Sequence, residues 1–173
     1  KTLLSLCLIA WARQLGHSIQ PFKVGPDYLD PQLLSLAANH PCRNLDLHLC
    51  GEDWVQLSFN GYGGRCEMAL VEGVMGLFDG IGSSSDGSTA DVAVNLDLPV
   101  VLVVDAGGQA RSLGALVRGF RDLDPRLNLA GVVLNRVSSP RHRELLEEVL
   151  TDIGVHCLGC LLYTSPSPRD SDS

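Results

Sequence analysis

Val100-Val-Leu-Val-Val-Asp105 decides the fold. Aliphatic residues follow one another without a polar break, and the run closes on a carboxylate. A strand with one wet face alternates apolar and polar residues, whereas a continuous apolar strand is expected to be covered on both faces, as in a parallel sheet. The run is too short for a helix of ordinary length, and far short of the roughly 20 residues that a bilayer requires.

Similar runs recur on either side, separated by helical stretches. Downstream, Ser112–Leu123 reads as a helix, Leu129–Asn135 as a strand, Ser139–Ile153 as a helix and Val155–Leu158 as a last short strand. Upstream, Ser88 is placed to cap a helix running through Leu96, before Pro99. Gly73–Gly87 is a Gly/Ser loop, and Glu67–Glu72 a buried strand. Glu52–Phe59 and Pro31–Asn39 read as helices, and Ser18–Val24 as a strand. Thr2–Leu15 is a helix stopped by Gly16, a good residue for the position after a helix end. Strands separated by helices imply βαβ crossovers, so the expected fold class is α/β with a doubly wound parallel sheet. Ligands in such sheets sit at the carboxyl ends of the strands. Lys23, Asp27, Glu72, Asp79, Asp105 and Asn135 all fall at or just after expected strand ends.

Composition narrows the partners. Hydrophobic residues are 45% and charged residues 19% of the 173, ordinary values for a globular domain with a real core. A net charge of -7 argues against a nucleic-acid partner, because phosphate contacts need clustered Lys and Arg. Leu3–Ala12 lacks the basic leader of a signal peptide and reads as a buried helix, and no membrane partner is expected. The six cysteines are scattered without a disulfide framework, which suggests a reduced, cytoplasmic protein. Cys157 and Cys160 form a CxxC with no second pair to complete a zinc site.

Several short strings carry the chemistry. Lys1-Thr2 opening a helix fits the end of a phosphate-binding loop, G-x-x-x-x-G-K-[ST], although two residues alone carry almost no signal. In Gln20-Pro-Phe-Lys-Val-Gly-Pro-Asp-Tyr-Leu-Asp-Pro31 a strand ends at Lys23, and Gly25-Pro26 turns the chain to present Asp27, Tyr28 and Asp30. Lys23 is suited to a transferring phosphoryl group or a substrate carboxylate, and an ordinary turn with solvated charges is an equal reading. Val71-Glu-Gly-Val-Met-Gly-Leu-Phe-Asp-Gly80 puts Glu72 at a strand end, where a buried carboxylate needs an ion pair or a metal. Magnesium suits it, since that ion takes one or two carboxylates together with phosphate oxygens. Asn135 offers an amide that could pair with an adenine edge, and a turn-forming Asn is as good a reading. His17, His40 and His142 read as surface positions without a role.

Taken together, PFKVGPDYLDP, RNLD, VEGVMGLFDG, GSTA, VVLVVDA and VVLNRVSS resemble, in order, the amino-terminal synthetase domain of the cobyrinate a,c-diamide synthase family. The resemblance runs from Lys1 to Gly159. It implies a P-loop NTPase fold like that of dethiobiotin synthetase, with the first strand and most of the P-loop preceding Lys1. It implies ATP and Mg2+ as cofactors. Lys1, Thr2 and Asn135 would bind ATP, and Thr2, Asp46 and Glu72 would hold the metal. Lys23, Asp27 and Asp79 would be catalytic, and Tyr28 and Asp30 would bind substrate. The implied reaction phosphorylates the a- and c-acetate carboxylates of the corrin and replaces phosphate with ammonia. The ammonia would come from a glutaminase domain of the same parent chain, and a homodimer is compatible with the pattern. A nickel-sirohydrochlorin amidase and a partitioning-type ATPase of the same superfamily are the alternatives.

The expected organisation is therefore a partial synthetase domain at 1–159, inactive by itself, with the glutaminase domain absent. Residues 160–173 would be a disordered tail. Cys160-Leu-Leu-Tyr-Thr-Ser-Pro-Ser-Pro-Arg-Asp170 looks like translated sequencing adapter, and its Ser, Pro and Asp content cannot bury enough surface to order itself.

Overall fold

The computed structural model describes residues 1–162. They form two compact units that divide between Leu98 and Pro99.

The first unit contains α1 (Thr2–Gln14), β1 (Ile19–Val24), α2 (Asp30–Ala38), β2 (Arg43–Leu45), α3 (Leu47–Cys50), α4 (Glu52–Gly63), β3 (Met68–Glu72) and α5 (Thr89–Asn95). Its sheet has the order β2-β1-β3, with both pairings parallel. All of β1 is buried. Its side chains alternate between two apolar layers. Ile19 packs with Ile9 and Ala12 of α1 and Leu34 and Ala38 of α2. Phe22 and Val24 pack with Leu45, Val55 of α4 and Val92 of α5. Helices thus cover both faces of this sheet, as a doubly wound arrangement requires.

β1 is central and yet contains Pro21, which has no N–H to give a ladder. Pairing with β2 begins only at Phe22, so the missing donor falls outside that ladder. The buried Gln20 amide donates instead to the carbonyls of Pro21 and Pro41, each at 2.8 Å.

The second unit contains β4 (Val100–Asp105), α6 (Ser112–Asp122), β5 (Leu129–Val137), α7 (Pro140–Asp152) and β6 (Cys157–Leu162). Its sheet is β4-β5-β6, again parallel throughout. Leu102, Val104, Val132 and Leu134 of the strands and Leu113, Val117, Leu146 and Leu150 of the helices are buried. Helices α6 and α7 approach closely at Gly114, where a Cβ would lie 2.9 Å from Val149 Cγ1.

The expected elements are present within a few residues, and the structure adds details that the sequence hides. The expectation of cover on both faces holds for β1 but not for β3 or β4: Met68 is 46% and Val101 47% exposed. Both are outer strands of their sheets. β2 and α3 are additional elements within what reads as a loop. β6 extends past Leu158 to Leu162, with Cys160 paired to Leu134 and Leu162 to Val137, so the expected tail is strand at its start. The remainder of the expected tail, 163–173, lies outside the described residues. Among the described residues no helix is long and apolar enough to cross a membrane.

Candidate functional site

Parallel register builds the site in the first unit. Lys23, next to last in β1, is the register partner of Glu72, the last residue of β3. Partners in register project to the same face of a sheet. The Lys23 ammonium donates to Glu72 Oε1 at 2.9 Å, to Asp30 Oδ2 at 2.8 Å and to the Gly73 carbonyl at 3.2 Å. Asp27 Oδ2 stands 3.6 Å from the same nitrogen. The three N–H bonds of the ammonium are thereby all engaged, and Lys23 is only 2% exposed. Burial by itself lowers its pKa. The hydrogen bonds and charges of Asp30 and Glu72 outweigh that and raise it above the ordinary 10.5. The Lys23 hydrogen bond likewise holds the Asp30 carboxyl below its ordinary 3.8.

The start of α1 reaches the same cluster. Thr2 Oγ1 is 2.8 Å from Glu72 Oε1 and 3.3 Å from Asp30 Oδ2. Lys1, at the N-cap, donates from Nζ to the Met75 carbonyl at 2.7 Å. Partial burial, and then the charge of Lys23, push the Lys1 pKa down. The unsatisfied amides at this helix end add positive potential, favourable for an anion.

Glu72 is the centre of the arrangement. It is 3% exposed. Oε1 receives both Lys23 and Thr2, while Oε2 is buried without a hydrogen-bond partner. An orphaned carboxylate oxygen is costly in a protein interior, and a cation would satisfy it. Among the described residues no three His, Cys, Asp or Glu side chains stand close enough to cage a metal ion. Magnesium does not need such a cage, since it keeps waters and takes one or two carboxylates along with phosphate oxygens. Glu72 and Thr2 fit that donor set.

The remaining expected site residues are placed differently. Asp27 Oδ1 accepts from the backbone N–H groups of Leu29 and Asp30, which shapes the turn that leaves Tyr28 80% exposed at its tip. Asp46 caps α3, where Oδ1 accepts from the His48 and Leu49 amides. Asp79 is exposed and its Oδ2 accepts from the Gly76 amide within the loop, though its charge is felt at Lys1. Asn44 and Thr89 are structural members that sequence reasoning missed. The Asn44 amide donates to the Gly25 and Asp27 carbonyls and ties the turn to β2. Thr89 Oγ1 accepts from the Val74 amide at 3.0 Å and fixes the start of the glycine loop.

Asn135 belongs to the second unit. It is the register partner of Asp105, and its carbonyl accepts from the Ala106 amide. Asp105 accepts from the Gly107 amide and from Arg136 Nη1, each at 2.9 Å, and the first and then the second of these hold its carboxyl below 3.8. Arg136 has a left-handed φ of 62°. His142, which reads as a surface residue, is half-buried and links two loops of this unit. Its Nδ1 accepts from the Ser138 amide at 3.2 Å and its Nε2 donates to the Gln109 carbonyl at 2.7 Å.

Comparison with known proteins places this geometry in context. Residues 1–172 match the family described as the CobQ/CobB/MinD/ParA nucleotide binding domain. The chain is 52% identical over 173 residues to a cobyrinate a,c-diamide synthase of Syntrophotalea carbinolica, covering 99% of this chain and 38% of that protein. It is 46% identical over 167 residues to a hydrogenobyrinate a,c-diamide synthase of Streptomyces coelicolor, covering 96% and 34%. Against a cobyrinate a,c-diamide synthase of a Synechococcus species the identity is 45% over 162 residues, covering 93% and 36%. The chain therefore spans little more than a third of the length of these relatives.

Proposed function

Because the chain belongs to the CobQ/CobB/MinD/ParA nucleotide-binding domain family, we propose that it is the ATP-binding part of an amide ligase. The ligase amidates the a- and c-acetate carboxylates of a corrin, cobyrinate or hydrogenobyrinate. The substrate is carried over from the names of relatives 52% and 46% identical to this chain. The observation that supports the site is Glu72, whose buried Oε2 has no partner while Oε1 is held by Lys23 and Thr2.

In this reading the phosphates of ATP lie at the amino end of α1, where Lys1 and the helix amides meet them. Glu72 and Thr2 hold Mg2+, which neutralises phosphate charge when bound; Asp46 joins them after release from its cap. A substrate carboxylate oxygen attacks the γ-phosphorus of ATP, the bond to ADP breaks, and an acyl phosphate forms. Ammonia then attacks the acyl carbon, phosphate leaves, and the nitrogen loses a proton. Lys23, Asp27 and Asp79 lie on the route of these reactants, with Asp27 and Asp79 suited to orient ammonia or ammonium. Tyr28, standing out from the turn, and Asp30 face the corrin side chain. Positioning and charge stabilisation supply most of the acceleration. A glutaminase domain supplies ammonia, and the reaction takes place in the cytoplasm.

The deciding experiment is calorimetric titration of ATP into the full-length ligase with and without Mg2+, for wild type and E72Q. Metal-dependent binding that E72Q abolishes is the expected result, and metal-independent binding unaffected by E72Q would count against the site. Assay of the full-length ligase with cobyrinate, hydrogenobyrinate and nickel sirohydrochlorin then identifies the substrate.

A further inference from the structure

The Lys23 ammonium is the cation that stands beside Glu72. It lies 2.9 Å from Glu72 Oε1 and 2.8 Å from Asp30 Oδ2, buried at 2% exposure. Its third N–H goes to the Gly73 carbonyl at 3.2 Å, so all three of its donors are held by the protein. Three carboxylates, Asp27, Asp30 and Glu72, surround it, and Lys1 is the other cation felt in the cluster. With Asp79, whose charge is also felt at Lys1, the carboxylates outnumber the two ammonium groups, so the cluster keeps a negative balance. The buried, unpartnered oxygen where that charge can be met is Glu72 Oε2.

We propose that Lys23 is the resident counter-ion of Glu72, a positioning residue that fixes Oε1, leaves Oε2 for a divalent cation, and competes with that cation for the carboxylate. The proposal rests on the reading of Glu72 as a metal carboxylate. Its consequence is an order of events. A free divalent ion meets carboxylates already partly neutralised by two ammonium groups and binds weakly. The same ion arriving with nucleotide phosphates brings its own anions and binds well. The carboxylates are then held aligned before the ligand arrives, without being occupied by metal alone.

The test is Mn2+ binding to the chain in the absence of nucleotide, followed by electron paramagnetic resonance, with thermal melting in parallel. K23M removes the charge and keeps the length of the side chain. It should bind Mn2+ about tenfold or more tighter than wild type, because a repelling and competing charge a few ångströms away is gone. K23R keeps the charge and should bind as wild type does. K23M/E72Q should lose the gain. A folded K23M with wild-type affinity for Mn2+ overturns the proposal, as does a K23R that gains as much as K23M. K23M leaves carboxylates buried without their cation and is expected to melt early, with Mn2+ restoring its melting temperature. If Mn2+ fails to restore it, the ion cannot replace the ammonium and the proposal falls. If wild type and K23M bind Mn2+ equally and both lose it with E72Q, the metal reading stands and the counter-ion role alone is wrong. If E72Q leaves Mn2+ binding untouched in every background, the metal reading fails and takes the proposal with it.

Discussion

Lys23 and Glu72 are register partners on adjacent parallel strands, and their side chains meet at 2.9 Å with both residues buried. Removing one member of a buried ion pair costs up to about 3–5 kcal/mol, because the other charge is left without compensation. Asp30 and Asp27 remain on Lys23, so E72Q is expected in the lower part of that range. Urea unfolding of the first unit should show a lowered midpoint without a change of slope. In the full-length ligase amidation should disappear even under conditions where E72Q remains folded. Normal turnover by E72Q would sink the metal role, and an unchanged midpoint would sink the structural one.

The register of this pair was legible in the sequence only in part. Lys23 and Glu72 each close an apolar run, and Val100–Asp105 reads as a strand with the bounds it has in the structure. What the runs cannot show is how they align, and alignment is what brings Lys23 to Glu72. β2 escapes notice because it is three residues long with Leu45 alone buried. The cap formed by Asp46 had a signal, an Asp directly before the short apolar stretch Leu47–Cys50. Asn44 and His142 work through contacts 17 and 33 residues away, which no local pattern encodes. The strand character of Cys160–Leu162 comes from pairing with β5, so composition alone placed those residues in a tail.

Acid should loosen the first unit through Glu67. Its Oε2 accepts from the Ser18 amide at 2.8 Å, and Oε1 lies 3.5 Å from His17 Nδ1. The Ser18 amide first, and His17 second, hold this carboxyl below its ordinary 4.5. A carboxyl lowered on folding stabilises fully above its unfolded value, and the contribution is lost as pH falls through the folded value. Wild type should therefore lose melting temperature below pH 4.5 more steeply than E67Q, which has no charge to lose. Parallel acid limbs for the two proteins would show that the contact contributes nothing.

The His142 tautomer should carry its proton on Nε2. The Ser138 amide donates to Nδ1, which must then carry a lone pair, and Nε2 lies 2.7 Å from the Gln109 carbonyl. Nitrogen chemical shifts of the imidazole at neutral pH should report that tautomer. H142A should cost the second unit about 1–2 kcal/mol, from loss of the ring's hydrogen bonds to Ser138 and Gln109. The Nδ1-protonated tautomer, or an H142A variant as stable as wild type, would refute the bridging role.

Two glycines of the second unit should respond to alanine with opposite sign. At Gly131 in β5 a Cβ would lie 2.7 Å from Leu158 Cγ and 2.9 Å from the His156 carbonyl oxygen. The backbone oxygen belongs to the strand connection beside it and has little room to withdraw. G131A should lower stability by about 1–3 kcal/mol through overpacking. At Gly119 in α6 a Cβ meets nothing within 4 Å. Alanine there avoids the helix penalty of glycine, so G119A should raise stability by about 0.5–1 kcal/mol. Thermal and urea melts of the two variants beside wild type check both signs. A neutral G131A would mean that β5 and β6 can separate at that point. Such freedom is opposed by the pairing of β5 with β6 on either side of it, where Val132 meets Cys157 and Leu134 meets Cys160.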